Sequence, residues 1–161
     1  KIAIYVKNND NVSEKTITAF SIQGVKSGTL TFQSLDTDSK GFEWNYPSSV
    51  PMETFTTTIT NFSVPINSAT EKKLLSTFFL LPNGSGNTFN ITYKYTGANG
   101  TETIVLNNQP LPSSDKWKPG TLVNYIISID TKSGVSVTVN SNPAWGNGGA
   151  ETVDGSDIET R

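Results

Sequence analysis

Two alternating apolar runs near the C-terminal end constrain this chain more than anything else in it. Val123, Tyr125, Ile127 and Ile129 share one face of the first run, and Val135, Val137 and Val139 share one face of the second. A side-chain period of two belongs to a pleated strand with one buried face. Between the runs, Asp130-Thr131-Lys132-Ser133-Gly134 has the length and the glycine of a hairpin loop. Such a hairpin cannot bury its apolar face alone, so a second layer of structure is required.

The same signal recurs upstream. Ile2, Ile4 and Val6 alternate with Ala3 and Tyr5, and Asn8-Asn9-Asp10-Asn11 ends that run with turn-forming residues. Ile17 to Val25 reads as a strand with a bulge near Gly24, and Leu30 and Phe32 are expected to pair back onto it across Ser27-Gly28. Phe42-Glu43-Trp44 reads as a short strand, and Phe55 to Phe62 as a Thr-rich one. Ser68-Ala69-Thr70-Glu71 fits a capping box, which predicts one or two helical turns through Lys72-Leu75 before a buried strand over Phe78–Leu81. Phe89, Ile91, Tyr93 and Tyr95 alternate clearly, and Thr96–Gly100 leads as a hairpin loop into Glu102–Leu106. Eight to ten strands with at most one short helix point to an all-β antiparallel sandwich or barrel. At 161 residues the chain has the length of one domain, 1–161, with a polar tail over about 146–161. A chain of this size buries roughly 70% of its unfolded surface, enough to fold without metal or disulfide.

Composition removes several chemistries. There is no cysteine and no histidine, so thiolate nucleophiles, histidine-based triads and imidazole metal sites are excluded. Twelve basic and fourteen acidic residues give a charge of −2 with no basic stripe, so no nucleic-acid partner is expected. Asp36, Asp38 and Gly41 fit the first, third and sixth positions of a calcium loop. Lys40 at the fifth position and Pro47 at the twelfth break the ligand set, and a solvated turn is the better reading. No catalytic residue, cofactor or metal ligand is expected, and the chain does not read as an enzyme.

A resemblance rests on the order of several features. Trp117, Pro119 and Gly120 precede the strand carrying Tyr125, Ile127 and Ile129, and Trp145 follows the valine strand before a Gly-rich tail. Ile22-Gln23-Gly24-Val25, Ser27-Gly28-Thr29-Leu30, Trp44, Leu80-Leu81-Pro82 and the Ile91-Tyr93-Tyr95 strand extend the match upstream. This pattern resembles the C-terminal domain of fimbrillin-like proteins, the type V pilus subunits and related surface lipoproteins of anaerobic Gram-negative bacteria. The resemblance implies a transthyretin-like, Greek-key sandwich of about seven main strands. It further implies a subunit of a cell-surface fimbria at the outer membrane, made as a lipoprotein precursor and touching the membrane only through that lipid anchor. Assembly would follow from proteolysis and β-strand complementation, with other pilus subunits or a preceding N-terminal domain as partners and a host or bacterial surface ligand as target. In that frame, the strand carrying Ile2, Ile4 and Val6 is the candidate exchangeable or interdomain edge. The alternative is a non-catalytic carbohydrate-binding module of a surface glycan-utilisation system, with Trp44, Trp117 and Trp145 as a stacking platform. Against that platform stands the reading of the tryptophans as core or sheet-end plugs.

Overall fold

Alternating apolar residues settle into two sheets that face each other across one core. The computed structural model describes residues 1–32, 42–45, 52–66, 71–81, 87–112, 117, 121–130 and 134–143. Ile2–Asn8 (β1), Lys73–Phe78 (β7), Thr121–Asp130 (β10) and Gly134–Pro143 (β11) form the first sheet, in the order β11-β10-β1-β7. Lys15–Val25 (β2), Met52–Thr57 (β5), Phe62–Val64 (β6), Thr88–Gly97 (β8) and Gly100–Pro110 (β9) form the second, ordered β5-β2-β8-β9 with β6 also on β2. Thr29–Phe32 (β3) and Phe42–Asn45 (β4) make a separate two-stranded ladder. The architecture is an all-β sandwich, with more strands than the seven the resemblance implied. Its pairings are antiparallel save that of β1 with β10, which is parallel. Parallel neighbours need a long crossover, and here the whole second sheet lies between them in sequence.

The core is where the inward faces meet. Ile2, Ile4 and Val6 of β1 and Val123, Tyr125, Ile127 and Ile129 of β10 lie opposite Ile17, Phe20 and Ile22 of β2 and Phe89, Ile91 and Tyr93 of β8, all buried. Phe20 links the layers, its ring centroid 6.1 Å from that of Phe78 on β7 and 5.9 Å from that of Phe89 on β8. Val135, Val137 and Val139 pack half-buried against this core from the outer strand β11. The hairpins over Gly97–Gly100 and Asp130–Gly134 close as the sequence predicts, with Gly100 at φ 105° and Gly134 at φ 78°. Those are left-handed conformations that glycine adopts without a Cβ penalty.

Five expectations are overturned. Lys73–Phe78 is a strand rather than a helix continuing from the Ser68–Glu71 capping box, because pairing to β1 supplies hydrogen bonds that a short isolated helix cannot match. A bulge at Leu75, opposite Ile4 and Tyr5, breaks the two-residue alternation there and so hides the strand from a periodicity count. Beyond Phe78 the chain leaves the sheet: Phe79 is exposed, and Leu80-Leu81 is not a strand. Leu80 instead covers Gly24, where an added Cβ would sit 3.1 Å from its Cδ1, and the ladder runs through Gly24 without a bulge.

The irregularity of β2 lies earlier, between Ile17 and Ala19, and moves the inward-facing set from Lys15 and Ile17 to Phe20 and Ile22. Leu30 and Phe32 pair with β4, not β2, whose two flanks are already taken by β5 and β6 and by β8. The stretch Phe55–Phe62 is not one strand; it breaks between Thr57 and Phe62, with Asn61 at φ 49°.

The core assignment has a direct test. Ile127→Ala removes a fully buried side chain and is expected to lower unfolding free energy by about 2–5 kcal/mol. Val137→Ala, on the half-buried outer strand, is expected to cost about 1 kcal/mol or less, both read from urea denaturation midpoints.

Candidate functional site

The strand at the start of the chain sits where the sequence reading did not place it. β1 is not an edge. It pairs with β10 from Ile2↔Val123 to Asn8↔Ile129, and with β7 from Ile2↔Phe78 to Val6↔Lys73. The Asn9 amide extends the first ladder, donating to the Ile129 carbonyl at 2.9 Å. Apolar residues on an amphipathic strand bury most completely at the centre of a sheet, and Ile4 and Val6 are both 0% exposed. The outer strands of this sheet are β7 and β11.

At its C-terminal end β1 runs into a buried polar cluster. Asn8 Nδ2 donates to the Ser13 carbonyl at 2.9 Å, and Asn8 Oδ1 accepts from the Asp10 amide at 3.2 Å. Asp10 Oδ1 accepts from the amides of Val12 and Ser13, folding the turn around its own side chain. Its other oxygen meets Lys15 Nζ at 2.7 Å. Lys15 is wholly buried, and its ammonium also donates to the Ser13 carbonyl at 3.1 Å and to Ser13 Oγ at 2.9 Å. That ammonium stands 4.8 Å from the centroid of the Tyr95 ring. A buried charge is tolerated only when paired and fully hydrogen-bonded, and these contacts supply both.

The opposite end of the core is closed by Trp117. It is 5% exposed, and its Nε1 donates to the Tyr125 hydroxyl at 2.8 Å, which in turn donates to the Pro112 carbonyl at 3.4 Å. A buried indole presents no face for a sugar to stack on, so Trp117 is not part of a glycan platform. The Trp44 side chain, Trp145, Pro119, Gly120, the Asp36–Gly41 turn and the 146–161 tail lie outside the described residues. Of the predicted signature residues, Trp117, Tyr125, Ile127 and Ile129 come together in the core. Sequence reasoning missed this cluster: it read Asn8-Asn9-Asp10-Asn11 as the turn that ends the strand and gave Ser13 and Lys15 no role. The available signal was parity: Lys15 precedes Ile17 by two residues and therefore points inward with it.

Three phenols are held in their neutral form. Burial raises the Tyr125 pKa, opposed in part by the hydrogen bond from Trp117. Burial, then the Asp10 and Asp130 charges, raises that of Tyr93. The hydrogen bond to Glu102, formed at 2.6 Å, is the main cause for Tyr95.

No protein-family model matches the sequence, and comparison with curated proteins returns no relative. Among solved structures the fold is similar to one described as a "putative cell adhesion protein" from Bacteroides uniformis ATCC 8492, at 10% identity and a TM-score of 0.36. The alignment covers 89% of this chain and 50% of that one, so the chain spans half the length of that protein.

Two outcomes are expected. Asp10→Ala leaves Lys15 buried without its carboxylate and is expected to cost about 3–5 kcal/mol. Adding Lys15→Met to it is expected to recover part of that loss, a coupling that a double-mutant cycle in urea reads directly. The raised phenols predict alkaline instability. Below the ordinary tyrosine value of about 10 both states are protonated and their contribution is fully present. Above it the unfolded chain ionises first, so stability falls as pH rises through the higher native values. Absorbance at 295 nm is expected to show part of the tyrosine ionising only as the fold is lost.

Proposed function

We propose that this chain is a structural and adhesive module of a bacterial cell surface, a fimbria subunit that assembles when a neighbour's strand takes the place of β1. The observation that carries this reading is the position of β1. It lies in the middle of the first sheet, between a parallel partner and an antiparallel one. Taking it out would expose unpaired backbone groups on β7 and β10 and an apolar trough over Phe20 and Phe89. A matching strand from another molecule satisfies both demands at once. Ile2, Ile4 and Val6 provide the regular alternation that such a strand needs. The chemistry is non-covalent throughout, and no cofactor enters it. Partners in this reading are other subunits or a neighbouring domain, and the membrane is reached only through a lipid anchor on a precursor.

The turn between β1 and β2 gives an experimental handle, because Val12 at its tip is 69% exposed. A protease site placed at Val12 allows β1 to be cut from the folded protein without removing it. Excess fluorescent peptide with the sequence of residues 1–10 is expected to displace the cut strand, slowly and to a saturating level. A peptide carrying Ile4→Asp is expected not to enter. If the matched peptide also stays out under mild denaturant, assembly through β1 is wrong.

A further inference from the structure

We infer that the outer face of the second sheet carries a saccharide-binding groove, floored by Thr16, Thr18, Lys94 and Thr96 and flanked by Glu14 and Asn61. The groove has a volume of about 330 Å³, within the range of small-molecule sites, about 300–1,000 Å³. Two irregularities of the backbone make it. β5 pairs with β2 only from Phe20 onward, and β6 only as far as Ile17. Thr18 and Ala19 therefore meet a gap on that flank, spanned by the segment in which Asn61 takes φ 49°. On the other flank β2 bulges against β8 at the same residues. Bulges and left-handed non-glycine residues gather where a fold re-aims side chains for recognition.

The lining chemistry selects the ligand class. Threonine hydroxyls can donate and accept, as do sugar hydroxyls; that of Thr18 already donates to the Thr92 carbonyl at 3.3 Å and offers a ligand its lone pairs, and the Asn61 carboxamide offers both functions side by side. Glu14 is held in place by the Ser63 hydroxyl, which donates to its Oε1 at 2.6 Å. The Lys94 side chain is exposed, and its ammonium makes no ion pair or hydrogen bond among the described residues, leaving its three donors for a ligand. Among the described lining residues one cation stands against one anion, a balance that favours a neutral polyhydroxy ligand over a phosphate or an acidic polymer. Four of the six groups stand on strands β2 and β8, so the backbone positions that present them are set before a ligand arrives. The groove does not include the buried Trp117, and it supplies a ligand class for the adhesive role proposed above, on which its biological sense rests.

The test uses the whole chain, labelled with ¹⁵N and titrated with cellobiose, maltose, lactose and N,N′-diacetylchitobiose to millimolar concentration. At least one sugar is expected to shift amides in Glu14–Thr18, at Asn61 and in Lys94–Thr96, with the core amides unmoved. Thr16→Val and Lys94→Met, both on the solvent face, are each expected to weaken that binding about tenfold at unchanged circular dichroism. Absence of shifts with every sugar, shifts centred elsewhere, variants that bind like the parent, or equal displacement by inorganic phosphate would each overturn the site. The peptide-exchange experiment on β1 reads separately: sugar binding lost with exchange retained sinks only the groove, and the reverse sinks only the assembly mechanism.

Discussion

Everything in this sandwich depends on β1 being hydrogen-bonded on both sides. β7 and β10 have no other route to one sheet, because β1 is the strand that joins them. Its inward side chains also form the middle of one wall of the core, over Phe20 and the β8 row. One seven-residue strand thus completes two ladders and the middle of one wall of the core. Removing backbone pairing from a buried site leaves donors and acceptors unsatisfied, a cost of about 1–3 kcal/mol for each buried group. The cost for a whole strand exceeds the stability of an ordinary domain. Some strand must therefore occupy this place, and its covalent origin is the only variable.

The buried cluster at the end of β1 gives that strand a defined register. Apolar alternation alone tolerates a slip of two residues, since Ile2, Ile4 and Val6 are similar in shape. Asn8 does not tolerate one: its amide reaches the carbonyls of Ser13 and Val64, and its oxygen takes the Asp10 amide. A shift would put an apolar side chain against those groups and leave them unpaired. Polar contacts of this sort specify an arrangement more than they stabilise it.

Much of this fold was legible in the sequence because most strands have one wet face and one dry one. The period of two in β8, β10 and β11 identified the core residues Phe89, Ile91, Tyr93, Tyr125, Ile127 and Ile129 directly. What failed to read were places where tertiary structure shifts the phase. The bulge at Leu75 made a strand look helical beside a capping-box motif, and the bulge at Thr18 split the inward set of β2. The order of strands was equally hidden: nothing in Ile2-Ala3-Ile4-Tyr5-Val6 distinguishes an edge strand from a central one except that Ala3 and Tyr5 also lack charge. That absence was the usable clue, since a strand paired on both sides has less need of the charged residues that protect an edge. The groove of Thr16, Thr18, Lys94 and Thr96 was invisible for another reason, as its residues are common surface types and only the gap beside β2 brings them together.

The cluster and the groove meet in one short segment, which limits how a strand exchange can work. Along residues 13–17 the chain points Ser13, Lys15 and Ile17 inward, while Glu14 and Thr16 line the groove. Lys15 is satisfied by Asp10 and Ser13, both of which precede it in the turn. A break between Asn8 and Asp10 leaves the carboxylate with the body of the protein and Lys15 paired. A break beyond Asp10 carries the carboxylate away with the departing strand. The incoming strand would then have to bring an acid to the same place, or Lys15 would stay buried without its carboxylate at a cost of about 3–5 kcal/mol. The alignment Asn8↔Ile129 fixes where such an acid must fall, two residues past the last rung of the ladder. A donor with apolar alternation and no carboxylate at that position would fill the trough and still destabilise the fold. That requirement separates a cognate strand from any other amphipathic one.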